Sequence, residues 1–238
     1  QLAYLHALAR NRFKDTPELG KDVGAKVRKL IDDYVISLGI NPKIPPIELT
    51  DDGFDAHVSR QVGDRAKASE MEHAVRAHVR KHLDEDPVKY GKLSERLEEL
   101  LQQLDGQWAA LQEALQELIA QCQDDAALDD ETLPEMPPRY LPFLRLLMEE
   151  ALGKEAAPDD ATRVKLMDAT AEIVETIVDE VRIPGFWKPA RIADQERLRG
   201  RLFEELHRQK WMSVDKVDAT AMKLLELARA RHEQLLQS

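Results

Sequence analysis

Residues 65–104, RAKASEMEHAVRAHVRKHLDEDPVKYGKLSERLEELLQQL, constrain the fold more than any other stretch of the chain. Ala68, Met71, Val75, Val79 and Leu83 recur every three or four residues, so they line one face of a helix over about 65–83. Asp84-Glu85-Asp86-Pro87 then stops it. Proline is tolerated at the first position of a helix, where its missing N–H is unsatisfied anyway, and aspartate is a favoured N-cap. Asp86 and Pro87 therefore predict the start of a second helix rather than a magnesium-binding acidic box, which would need a buried strand in front of it. Beyond the cap, Leu97, Leu100, Leu101, Leu104, Trp108, Leu111, Leu115, Leu118 and Ile119 keep a helical stripe. The stripe predicts one long helix over 93–121, on the order of 40 Å, which Gly106 kinks or ends near Asp105.

The flanking segments are amphipathic too, so these stripes read as faces of a bundle core rather than as a free coiled coil. Upstream, residues 2–13 and 21–38 read as helices; Gly39 and Pro42 end the second. Pro42, Pro45 and Pro46 keep residues 40–50 out of helix and central strand, which predicts a short proline-rich extended segment packing Ile44, Ile47 and Leu49. A short helix is expected over 54–61. Residues 122–140 mix Asp124, Asp125, Asp129, Asp130, Glu131 and Glu135 with Pro134, Pro137 and Pro138, an acidic connector longer than an ordinary helix–helix loop. Helices resume at 140–152, at 160–181 behind an Asp159 or Asp160 cap, at 193–210 and at 214–236. In 160–181 the expected inner face is Val164, Met167, Ala171, Val174, Val178 and Val181. Phe186 and Trp187 read as a hydrophobic plug for the loop before 193–210 rather than a base-stacking site. The fold expected is all-α: an irregular multi-helix bundle with one long helix and one proline-rich extended segment. Its parts are an N-terminal helical sub-bundle (1–121), the connector (122–140) and a C-terminal helical sub-bundle (141–238).

Charge points to where a partner would bind. The 238-residue chain is −11 overall, so its body as a whole repels nucleic acid and any DNA contact must come from a local patch. Two patches depart from the average. Between 65 and 82, Arg65, Lys67, Arg76, Arg80 and Lys81 against Glu70 and Glu72 give five minus two, or +3, beside His73, His78 and His82. Between 188 and 210, Lys188, Arg191, Arg197, Arg199, Arg201, Arg208 and Lys210 against Asp194, Glu196, Glu204 and Glu205 give seven minus four, again +3. The remainder of the chain is then −11 minus +6, or −17. Such helices attract phosphate or an acidic protein surface, unless nearby carboxylates balance them. The DNA- or partner-binding candidates are Arg65, Lys67, His73, Arg76, Arg80, Lys81, Lys188, Arg191, Arg197 and Arg201.

Catalytic signatures are missing from the sequence. GKDVGAK at 20–26 is not a phosphate loop: it lacks the GxxxxGK[ST] spacing and follows no strand. GxSxG, CxxC and HExxH do not occur. His78 and His82 stand four apart with only Glu85 or Asp86 near enough in sequence to add a ligand, and a bland polar helix face is the preferred reading over a metal site. Cys122 is the one cysteine, which excludes an internal disulfide and fits a reducing cytoplasm. No apolar run is long enough to span a membrane. The chain opens at Gln1 directly in a helical pattern, so a fragment of a longer protein is expected.

The run from Lys67 to Glu98, KASE-HA-R-H-LDEDP-Y-LSERLE, resembles the C-terminal helical domain of the R (motor and endonuclease) subunit of type I restriction enzymes. RNRFKD (10–15) and KVRKLIDDYVISLGINPKIPPIEL (26–49) carry the same resemblance, with a weaker echo in IPGFW (183–187); between about 105 and 180 only the helical character is shared. The resemblance implies a non-catalytic domain that docks the R subunit onto the modification methyltransferase core, with its modification and specificity subunits, and contacts duplex DNA. ATP and magnesium would belong to upstream nuclease and ATPase domains of the parent, an ATP-dependent site-specific deoxyribonuclease; the expected cofactor set of this segment is empty. The alternative is a purely structural bundle that supports the motor lobes and touches no DNA.

Overall fold

A computed structural model of the chain describes residues 48–51, 53–124, 136–154 and 158–237. Backbone contacts divide the chain into two units, 1–46 and 47–238. The first unit lies outside the described residues, and with it the expected helices at 2–13 and 21–38 and nearly all of the proline-rich segment. Residues 125–135 of the expected connector lie outside them as well.

Every regular element among the described residues is helical. We number the helices α1 (Phe54–Ser59), α2 (Asp64–His82), α3 (Pro87–Gln103), α4 (Trp108–Gln123), α5 (Leu141–Leu152), α6 (Asp160–Val181), α7 (Ile192–Gln209), α8 (Val214–Ala230) and α9 (His232–Leu236); Pro189–Arg191 forms one 3₁₀ turn before α7. No helix among them is long and apolar enough to cross a membrane.

Asp86 caps α3 as its position before Pro87 predicts: its Oδ1 accepts from the Lys89 amide at 3.0 Å. Asp159 caps α6 in the same way, accepting from the Thr162 amide at 2.7 Å. The long helix expected over 93–121 is instead two helices. The chain leaves α3 at Leu104, turns through Gly106 at φ +75°, a left-handed conformation that costs glycine little, and re-enters helix at Trp108. The turn lets α4 pack back on both α2 and α3. Most of the stripe survives the break: Leu97, Leu111, Leu115, Leu118 and Ile119 are buried in one cluster and Leu100, Leu101 and Leu104 pack against it half-buried, whereas Trp108 is exposed.

The inner face of α6 also departs from the expected one. Leu166, Ala169, Ile173, Val174, Ile177, Val178 and Val181 are buried, whereas Val164 is exposed and Met167 and Ala171 are half-buried. The expected face was centred on the valines; packing against α5, α7 and α9 rotates the buried stripe toward the bulkier Ile173 and Ile177. The aromatic plug forms as read. Phe186 is fully buried, Trp187 meets it edge-on at 4.9 Å, and Gln195 Nε2 of α7 donates to the Phe186 carbonyl at 2.8 Å.

Two apolar cores result. One gathers Leu49, Phe54, Val58 and the inner faces of α2, α3 and α4, with Cys122 among them. The other gathers α5 to α9 around Phe143, Leu147, Ile173, Leu202 and Leu224. Each fully buried leucine, isoleucine or phenylalanine contributes roughly 1.5–3 kcal/mol by leaving water. The two meet where α3 packs on α5, and Val88 of α3 belongs to the second core. That seam is partly ionic. Arg145 of α5 pairs with Asp86 Oδ2, both side chains at least nine-tenths buried, and Arg231 Nη1 donates to the Glu85 carbonyl at 3.1 Å.

Candidate docking and nucleic-acid interface

The candidate residues of the first basic region do not share one face of α2. The core-facing side is set by Ala68, Met71, Val75 and Val79. Arg65, His73, Arg76 and Arg80, spaced by eight, three and four residues, fall on one strip away from it. Arg65, His73 and Arg80 are exposed, and Arg76 is half-buried. Lys67 and Lys81 project from the other flank. Lys67 lines a cleft of about 270 Å³ between α1, α2 and α4, together with Asp55, Met71, Gln112 and Gln116. Lys81 Nζ donates to Glu48 Oε1 at 2.7 Å, and this ammonium holds the Glu48 carboxyl below its usual range.

Within the strip the arginines differ. Arg65 stacks over the half-exposed Trp108 ring, its guanidinium 5.2 Å from the ring centre. Arg76 is held by two carboxylates, Glu72 through Nε at 3.0 Å and Glu98 of α3 through Nη1 at 2.9 Å. Arg80 has no carboxylate within ion-pairing distance among the described residues. The Glu72 contact was open to reading from its i,i+4 spacing; Glu98 and Trp108 were not, because they come from other helices.

The arginines of the second basic region are closed by their own neighbours. Arg201 reaches Glu180 of α6 at 2.6 Å, and Arg197 reaches Glu180 at 3.4 Å and Asp194 at 2.8 Å. Arg191 takes Asp194 at 3.1 Å, Arg199 takes Glu196 and Asp218 at 3.2 and 3.6 Å, and Arg208 takes Glu205 and Glu172. Arg191 beside Asp194, with Arg197 adding to it, lowers that carboxyl from its ordinary value, and the Arg197 guanidinium is raised by Glu180. Lys188 is exposed, its stem packed within 3.1 Å of where a side chain on Gly185 would begin. The count of +3 omitted Glu172, Glu180 and Asp218, which lie outside 188–210 in sequence and against it in space.

His78 and His82 form an aromatic cluster with Tyr90. Their rings lie 4.6 Å apart, and Tyr90 is 5.6 Å from His78 and stacks on His82 at 5.4 Å. His82 Nδ1 also faces Glu85 at 3.4 Å. Among the described residues no three His, Cys, Asp or Glu side chains gather as a metal-holding group. Comparison with protein-family models, with curated proteins and with solved structures returned no match.

Proposed function

We propose that this chain is a non-catalytic assembly domain of a restriction motor, similar to the C-terminal domain of type I R subunits. In this reading it docks its parent onto the modification methyltransferase core, with the modification and specificity subunits as partners, and lays the α2 strip along the DNA backbone. Catalysis, ATP and magnesium belong to upstream domains of that parent, which acts in the cytoplasm. The observation that carries the DNA contact is the strip itself: Arg65, His73, Arg76 and Arg80 on one solvent-facing side of one helix. The docking role is supported by where the resemblance falls. Lys67–Glu98 spans α2, its capped turn and α3, and the turn bears the buried Asp86–Arg145 pair.

The second reading, a structural support for the motor lobes with no DNA contact, is favoured by the closed pairing of the α7 arginines. Binding to nonspecific duplex DNA separates the two. The 238-residue chain is titrated with a labelled duplex by fluorescence anisotropy at about 50 and 200 mM salt, beside Arg65→Glu/Arg80→Glu. Backbone contact predicts salt-sensitive binding that the double variant loses. No binding at low salt removes the DNA role and leaves docking, tested by co-purification with the methyltransferase core.

A further inference from the structure

We infer that the α2 strip carries a built-in competitor: Glu98 of α3 occupies Arg76 and so sets how tightly the strip takes a phosphate backbone. This rests on the proposed DNA contact and concerns its regulation. Three arginines against Glu72 and Glu98 leave the strip at three minus two, or +1, counting arginines and glutamates alone. Arg76 stands between Arg65 and Arg80, on the order of 16 Å from one and 6 Å from the other along the helix axis. It is therefore the residue that would join the outer two into one row of phosphate contacts. With Nε on Glu72 and Nη1 on Glu98, each two-pronged edge of the guanidinium, Nε/Nη2 and Nη1/Nη2, has one nitrogen already facing a carboxylate.

The clamp is of a kind that can be displaced. The Arg76 and Glu98 side chains are 37 % and 48 % exposed, and water screens pairs that are this open. Glu72 shares α2 with Arg76 and stays beside it in any pose of the helix. Glu98 comes from a second helix, so its hold is the one that an incoming phosphate would replace. Neutralising Glu98 alone takes the strip from +1 to +2.

The test compares the full chain with Glu98→Gln, Glu95→Gln and Arg76→Ala/Glu98→Gln, using a labelled nonspecific duplex across a salt series. Glu95 lies on the same helix and pairs with Lys154 at 2.5 Å, so it removes one charge away from the strip. Glutamine keeps the size and an acceptor oxygen of Glu98, and circular dichroism verifies the helix content of each variant. Glu98→Gln should bind roughly three- to tenfold tighter at low salt, with a salt slope steeper by up to about one phosphate. Glu95→Gln should change much less, and Arg76→Ala should erase the gain. Wild-type binding with no gain in Glu98→Gln overturns the clamp and leaves the DNA contact standing. An equal gain in Glu95→Gln reduces the effect to net charge and also overturns it. No binding by any variant overturns the clamp together with the contact beneath it.

Discussion

Helices α2 and α7 begin from the same local excess of positive charge and end in opposite states. On α7 the arginines meet carboxylates of α6 and α8, and Glu180 alone takes two of them. On α2 two of the three strip arginines keep an exposed face, and the third is held by two glutamates. A charge count along the sequence is therefore a weak guide to surface potential. What decides the field is which helices pack beside the basic one and which ends of them are acidic.

The comparison can be broken first at the seam between the two cores. Arg145→Ala removes the buried cation paired with Asp86 and leaves that buried carboxylate its cap bond from the Lys89 amide, and should cost about 3–5 kcal/mol in chemical denaturation. If the α1–α4 core and the α5–α9 core melt as separate units, this variant should also split the transition in two. A single transition that merely moves would show that α3 and α5 couple them without the ion pair.

Next in size are Leu115→Ala and Leu202→Ala, one in each core and both fully buried. Each should cost about 2–5 kcal/mol through lost burial and the cavity left behind. Calorimetry of the pair sharpens the comparison: both variants lower the same transition if residues 47–238 fold as one cooperative unit, and different transitions if they do not.

Charge reversal should then separate the two basic helices directly. Arg65→Glu/Arg80→Glu should lose at least about tenfold in duplex binding at low salt with little change in melting temperature. Arg197→Glu/Arg201→Glu should do the reverse, because it places like charges against the mostly buried Glu180 and removes no free cation. Equal loss of binding in both would refute the distinction.

The smallest effect concerns pH. The folded-state pKa of Asp194 is lowered, chiefly by Arg191. Its contribution is thus present above the unfolded value of about 4 and is lost as the pH falls through the lower folded value. Asp194→Asn should lower stability at neutral pH and leave it nearly unchanged in acid, which flattens the acid limb of the stability curve.

Local rules carried most of the secondary structure. The apolar periodicity of 65–83, the Asp86-Pro87 start and a cap at Asp159 or Asp160 depend on residues within one or two helical turns of each other; α3 and α6 follow them, with Asp159 as the cap, and α2 follows except at Leu83, which lies past its end and is exposed. The break at Gly106 was visible as a glycine, but periodicity passes through a turn whenever both helices bury the same stripe against one core. The strip of candidate residues was legible only in part. Helical spacing separates Arg65, His73, Arg76 and Arg80 from Lys67 and Lys81, and it reaches Glu72 and Asp194, whereas Glu98 beside Arg76 and Glu180 beside Arg197 and Arg201 come from other helices.

The sequence by itself determined that the described residues are helical, where α2, α3 and α6 begin, and that Ala68, Met71, Val75 and Val79 of α2 turn inward, but not which face of α6 does. Hydrogen-bonded turns, caps and amphipathic faces are short-range, so short-range order is enough to encode them. Tertiary structure alone decided that Asp86 would find Arg145, that α4 would fold back onto α2, and that one basic helix would be neutralised while the other kept an open face. Those outcomes depend on groups distant in the chain, and electrostatic energy follows distance in space.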